Sequence, residues 1–438
     1  MARLSHGLAI LIMVCLLGSV VPLHAQGDPK ATAQTVVDNL LAGDFEAVAA
    51  VFDDTMQAAL PVEQLAETWQ SVEAQVGAFQ QQLAVYSYPA DGFTRVVITL
   101  QFEAAIIDVE VNVGQAQDVV GLFVRPGQVP LPGAGELPAG VEEWEITLNT
   151  GTAWELPGIV TVPAGGGPFP AVVLVHGSGP NDRDETIGPN KPFRDIAYAL
   201  ASSGIATLRY DKRTFVHGQQ MVDLDLTVRE EVVDDALAAV ALLHSMEDID
   251  PDRVFVLGHS LGGYLLPHIL ENGQVDIRGG IILAGNARPL EVLIREQTQY
   301  LLALDGELSE SDQQQLAATD QLVTAIQALE PDTPGLFFGA PASYWLDLRG
   351  YDPVATAQRV NLPLLILQGE RDYQVTMTDF QLWQDGLASR DNVTLISYPD
   401  LNHLFLAGQG PSRPVEYEQP GQVVDSVISD IVRWINQY

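Results

Sequence analysis

The sequence predicts an α/β protein, a mostly parallel sheet with helices on both faces, preceded by a small α+β domain. Three observations predict it. From about Val141 onward, short and nearly continuous apolar runs alternate with amphipathic segments, as in strands buried on both faces of a parallel sheet. Before Arg125 the order differs, with helical spacing first and strand-period segments after it. A Pro/Gly-rich stretch, residues 126–140, separates the two patterns and reads as a linker. At 438 residues the chain is long enough for two or three domains.

Taken in order, residues 1–25 have the make-up of a secretory signal. Arg3 supplies a positive start, Leu8 to Val21 is almost wholly apolar, Pro22 breaks the run, and Ala25 is a small residue before Gln26. The expectation is export to the periplasm or the exterior. The apolar run is short for a span of roughly 20 residues, so an uncleaved anchor is the weaker reading and no membrane span is expected in the mature chain. Cys15, the one cysteine, lies in this segment. The mature chain then has no disulfide and no cysteine nucleophile. The segment carries one cation and no acid, so its removal takes the net charge from −36 to −37. Such a surface repels phosphate backbones and argues against a nucleic-acid partner.

Residues 26–125 form the α+β domain. Val36-Val37, Leu40-Leu41 and Phe45 keep helical spacing, Gly43-Asp44 marks a turn, and Pro61 opens a second helical stretch with Leu65 and Trp69. Leu83 to Tyr88, Thr94 to Phe102, Ile106 to Val113 and Asp118 to Val124 read as successive strands. Phe45, Phe52 and Trp69 are expected to be core.

Residues 141–438 form the larger domain. Trp144 to Leu148 and Leu156 to Val162 read as edge strands. Six further strands are expected at Ala171 to Val175, Ile205 to Tyr210, Val254 to Leu257, Gly280 to Leu283, Leu362 to Leu367 and Val393 to Tyr398. Helices are expected over Phe193 to Ser203, Thr227 to Ser245, Leu261 to Leu270, Asp379 to Ala388 and Val423 to Ile435. Between Leu283 and Leu362 lie nearly eighty residues of helical character, far more than an ordinary crossover. That stretch, about 286–350, reads as a cap over the sheet end where loops carry chemistry.

The sharpest local signal is Gly258-His259-Ser260-Leu261-Gly262, a G-x-S-x-G run between a strand and a helix. Side chains at Gly258 and Gly262 would collide with nearby backbone. The turn then lifts the Ser260 hydroxyl to a helix N-terminus, where a developing anion is favoured. A serine needs a base, and one presented this way takes its acid and then its histidine from later in the chain. Six histidines follow residue 25, and His268 and His403 follow Ser260. His268 sits two turns along the same helix and cannot swing back, which leaves His403. The acid belongs after the preceding strand, in Gly369-Glu370-Arg371-Asp372. Asp372 fits a G-x-x-D turn, with Glu370 as the competitor. The oxyanion hole needs two backbone N–H groups, expected from Leu261 and from Ser178 in His176-Gly177-Ser178-Gly179-Pro180. His176 reads as a loop brace. Asp211, Lys212, Arg213 and Arg183 read as a structural ion-pair network rather than a substrate grip. Tyr344 and Trp345, at the end of the cap, are candidates for an acyl pocket or for cap core. No ligand cluster suggests a metal, and no organic cofactor is called for.

These runs, together with Asn181-Asp182-Arg183-Asp184, Arg209-Tyr210-Asp211-Lys212-Arg213 and Asn402-His403, resemble the α/β-hydrolase superfamily. More narrowly, they resemble secreted bacterial esterases of the dienelactone-hydrolase-like group. The resemblance covers about Val141 to Tyr438, and such esterases usually carry a helical cap after the sixth strand. Residues 26–125 resemble, less specifically, a nuclear-transport-factor-like α+β module that often precedes them. Pro267, inside the helix after Ser260, departs from the pattern. The resemblance implies hydrolysis of a small-molecule carboxylic ester through an acyl-enzyme, with Ser260 attacking and His403 taking its proton. A serine peptidase on the same triad and a binding protein with a relict hydrolase domain are the competing readings.

Overall fold

The computed structural model describes residues 28–90, 92–127, 137–221, 225–271, 275–304 and 306–438. The segment read as a signal and most of the linker read at 126–140 lie outside them. Among the described residues no helix is long and apolar enough to cross a membrane.

The first domain is helical and then stranded. Helices Pro29–Ala42, Phe45–Ala49, Asp54–Ala59 and Val62–Val76 come first. Asp28, Asp44 and Asp53 accept from the first free N–H groups of the first three, which fixes where those helices start. Strands β1 (Phe79–Ala90), β2 (Phe93–Phe102), β3 (Ile106–Gly114) and β4 (Val119–Pro126) follow as an antiparallel meander in the order 1-2-3-4. Val96, Ile98 and Leu100 of β2 and Val109 and Val111 of β3 meet Val36, Val37, Leu40 and Trp69 of the helices in one core. Phe52 is in that core and Phe45 packs against it.

The second domain holds β5 (Val141–Leu148), β6 (Leu156–Pro163), β7 (Phe169–Val175), β8 (Ala206–Tyr210), β9 (Ile249–His259) and β10 (Gly279–Leu283). After the two-residue hairpin β11 (Leu336–Phe337) and β12 (Ala340–Pro341) come β13 (Leu364–Gly369) and β14 (Val393–Tyr398). Eight strands form one sheet in the order 14-13-10-9-7-8-6-5. Pairs within β7 to β10, β13 and β14 are parallel, whereas β6 runs antiparallel to both β5 and β8. The fold is the α/β class expected. The central strands are buried apart from Phe169 at the start of β7, so both sheet faces need cover. Helices Asp234–His244 and Leu261–Glu271 contribute to the core of one face, and Pro192–Ser202 and Asp425–Ile435 to that of the other.

Some details differ from the sequence reading. The helix expected over Thr227 to Ser245 opens with a π-turn, Arg229–Val233, before Asp234–His244. Strand β9 begins at Ile249, before the polar Asp250-Pro251-Asp252. The helix after Ser260 runs through Pro267 to Glu271.

The stretch between β10 and β13 holds helices Leu290–Ala303, Glu310–Gln327, Ala342–Leu348 and Pro353–Arg359. Its root is pinned by Arg288, whose guanidinium reaches the fully buried Asp379 carboxylate at 2.8 and 3.1 Å. The backbone N–H groups of Ala287 and Arg288 donate to the same carboxylate.

Candidate active site

Strand β9 ends at His259 and the next helix begins at Leu261, so Ser260 alone makes the turn between them. Its φ is 51°, left-handed and unfavourable for a residue with a Cβ. The backbone is held there from both sides. Ser260 N–H donates to Leu283 C=O at 2.9 Å, and its C=O accepts from Tyr264 N–H at 2.9 Å. Gly262 lies against the neighbouring strand end, where a Cβ would run into the carbonyls of Val175 and His176. Gly262→Ala is therefore expected to cost about 3 kcal/mol through backbone overpacking. A lower urea midpoint would show it, and an unchanged midpoint would contradict the close approach.

Asp372 and His403 meet although they lie 31 positions apart. His403 Nδ1 is 2.6 Å from Asp372 Oδ2, and both residues are buried. The other oxygen, Oδ1, accepts from the backbone N–H groups of Gln374 and Val375 at 2.7 and 3.0 Å. Gln368 Nε2 also donates to Oδ2 at 3.2 Å. Glu370, the competing acid, turns outward and accepts from Ser397 Oγ at 2.7 Å. Ser260, His403 and Ser178 share one cleft, together with Gly177, Asn181, Glu185, His259, Asn286 and Gln374. His268 instead packs its ring on Tyr351.

The loop after β7 is braced from three side chains, Glu185, Lys212 and Asn181. Gly177 N–H donates to Glu185 Oε1 at 2.6 Å, and Lys212 Nζ donates to Gly177 C=O at 2.8 Å. The Asn181 amide donates to the carbonyls of Gly177, Ser178 and Gly179. Among the described residues neither Ser178 N–H nor Leu261 N–H meets a backbone carbonyl. Both are thus available to a negatively charged oxygen. Gly177 sits so near Ser260 that a Cβ there would come within 3.1 Å of Ser260 Cβ. His176 is packed between Phe193 and Tyr210. Burial, aided by the Lys212 charge, pulls its pKa down to about 4, so it is neutral at pH 7.

The charged residues after β8 are internally spent. Arg183 clamps Asp211 at 2.9 and 2.7 Å, Arg213 pairs with Asp235, and Lys212 meets the buried Glu231 at 2.6 Å. The ion-pair reading of these residues describes what they contact. Lys212 adds a link to the loop after β7 through Gly177 C=O.

The pocket reading of Tyr344 and Trp345 needs correction. Neither lines the cleft above Ser260. Tyr344 is 1% exposed with its hydroxyl facing Glu231, and Trp345 Nε1 donates to Phe337 C=O at 2.8 Å. They are cap core, and Trp345 also faces a second cavity with Tyr264 and Tyr351. The cleft wall comes instead from Leu290, Leu293, Ile294 and Gln297 on the first cap helix, and from Ile187 and Val375.

Residues 172–419 match a family described as the α/β hydrolase family, and residues 33–122 match one described as a protein of unknown function. The chain is similar to esterase EstD of Thermotoga maritima, with 41% identity over 402 residues, covering 91% of this chain and 93% of that one. Among solved structures it is similar to an esterase of Pyrococcus furiosus, at 16% identity over 72% of this chain and 96% of that one, with a TM-score of 0.45. Est1E from Butyrivibrio proteoclasticus shows 16% identity over 67% of this chain and 99% of that one, with a TM-score of 0.44.

Proposed function

The chain belongs to the α/β-hydrolase family, and from that premise we propose that it is a serine carboxylesterase working through an acyl-enzyme. The observation that carries this reading is the Asp372–His403 pair at 2.6 Å, opening on the same cleft as a serine at φ 51°. The 41%-identical relative is itself named an esterase, which supports the same class of bond.

In this mechanism Asp372 holds the proton of His403 on Nδ1, which leaves Nε2 free to accept a proton. Ser260 Oγ attacks the ester carbonyl carbon as its proton passes to His403. The carbonyl oxygen becomes an oxyanion held by the Ser178 and Leu261 N–H groups. The C–O bond to the alcohol then breaks, and the alcohol leaves with the proton from His403. Water, deprotonated by His403, attacks the acyl-Ser260 ester, and collapse of that second intermediate returns the acid and the free hydroxyl.

The lining of the cleft favours an ester over a peptide with a free amino terminus. Gripping an ammonium needs a carboxylate with capacity to spare. Among the described lining residues Glu185 is the one carboxylate, and it is engaged by Gly177 N–H and His259. Leu290, Leu293 and Ile294 offer apolar contact instead. Purified protein is expected to turn over p-nitrophenyl acetate at least about 100-fold faster, in kcat/KM, than an aminoacyl-p-nitroanilide, the scale on which an apolar pocket discriminates between substrates. Preference for the anilide would show the peptidase reading to be the right one.

A further inference from the structure

Beside Asp372 and His403 lies a second buried carboxylate–imidazole pair, Glu185 and His259, to which the steps above give no role. Glu185 is 2% exposed and His259 5%. Glu185 Oε1 accepts from Gly177 N–H at 2.6 Å, one residue before Ser178. Its Oε2 faces His259 Nδ1 at 3.0 Å. His259 Nε2 lies 3.0 Å from the His403 carbonyl oxygen, to which it donates, and the two imidazole rings sit 4.7 Å apart between centroids. His259 also directly precedes Ser260. A single pair therefore touches the oxyanion loop, the nucleophile turn and the loop of the base.

Both ring nitrogens of His259 face acceptors, a carboxylate and a carbonyl, which suits an imidazolium with two donors. Burial disfavours that charge, but the Glu185 carboxylate and the His403 carbonyl more than offset it and hold the imidazole pKa above its ordinary value. Burial likewise opposes the Glu185 charge, and His259, His176 and the Gly177 N–H together bring its carboxyl below the usual range. Glu185 also keeps a left-handed backbone at φ 51°. Two buried charges and a disfavoured backbone are poor choices for packing alone, since an apolar pair of the same volume is often as stable or more so.

We propose that Glu185 and His259 are positioning residues for the hydrolysis proposed above, on which this inference rests: they hold the Ser178 N–H and the His403 ring at a fixed spacing around Ser260. The oxyanion exists only after attack. A displaced donor therefore lowers kcat and leaves KM nearly unchanged.

The test compares three substitutions with p-nitrophenyl acetate as substrate and a fluorophosphonate as probe of Ser260. Glu185→Ala removes both contacts, and Glu185→Asp keeps the charge but is one methylene too short to reach both partners. Each is expected to lower kcat about 100-fold, the scale of one oxyanion donor, with phosphonylation slowed in parallel and KM within about 2-fold of wild type. Glu185→Gln has the native shape. Its oxygen can accept from Gly177 N–H, and its NH2 can donate to a neutral His259 that still donates to His403. It is expected to retain kcat within about 5-fold, a loss well short of a missing donor. If Glu185→Ala does not fold, the Asp and Gln variants carry the comparison. Wild-type protein that is not labelled at Ser260 sinks the serine-hydrolase reading itself. Labelled wild type overturns the positioning role alone in three cases: Glu185→Asp keeps wild-type kcat, KM moves in place of kcat, or Glu185→Gln is as slow as Glu185→Asp.

Discussion

Ser260→Ala is expected to lower kcat for p-nitrophenyl acetate by about 10⁵-fold or more while the protein stays folded, the scale seen when a triad serine is removed. In the proposed mechanism the hydroxyl is the atom that forms the acyl-enzyme, and alanine has none. What survives is the contribution of the oxyanion donors and of binding. The fold should tolerate the change. Alanine keeps a Cβ at the same left-handed position, and the bonds to Leu283 and Tyr264 are made by the backbone. Thermal melting within a few degrees of wild type, together with lost turnover, is the expected pair of readings. Turnover within tenfold of wild type would remove Ser260 from the chemistry.

Asp372→Asn is expected to lower kcat by about 10⁴-fold, through proton placement rather than through loss of structure. Asp372 Oδ1 accepts from the N–H groups of Gln374 and Val375. An asparagine must put its carbonyl oxygen there, because an NH2 would point donors at donors. Its NH2 then faces His403 Nδ1, where the carboxylate now sits at 2.6 Å. That NH2 can only donate, so Nδ1 becomes the acceptor and the ring proton moves to Nε2. The base then presents a proton to Ser260 where it should accept one. Wild-type kcat in a folded Asp372→Asn protein would mean that the carboxylate does not set the tautomer.

Much of this arrangement could be read from residues because it is local. The strand, the sharp turn and the helix around Ser260 occupy one continuous run, and Asp372 and His403 each sit just past a strand, the first of them with the unbroken apolar run Leu364 to Leu367. What could not be read is what depends on distant parts meeting. Glu185 is one of 57 acidic residues and carries no spacing signal. Its partners, at Gly177 and His259, come from the ends of two different strands. The cleft wall is not legible in the sequence for a related reason. Helical periodicity shows that Leu290, Leu293 and Ile294 share a face, but not whether that face looks at the core or at Ser260. Tyr344 and Trp345 are large aromatic residues and stand out in a sequence, yet burial of their rings in the cap core satisfies them fully. The π-turn at Arg229–Val233 carries no motif of its own, and it places Glu231 where Lys212 and Tyr344 both reach it.

The cap departs from the sheet at Leu283 and rejoins it at Leu364, on strands that are hydrogen-bonded neighbours, with Leu283 opposite Leu367. Closing a loop between two adjacent strand ends costs entropy that grows only slowly with loop length. The register of β10 on β13 therefore places little demand on what lies between them. Ser260, Asp372 and His403 all lie outside that interval, whereas Leu290, Leu293, Ile294 and Gln297 lie within it. On the proposed reading, bond-breaking and most of the apolar cleft wall are thus carried by separate stretches of chain, Ile187 and Val375 being the wall residues outside the interval. An evolving lineage could trade the second, provided the Arg288–Asp379 root is kept, and inherit the first unchanged.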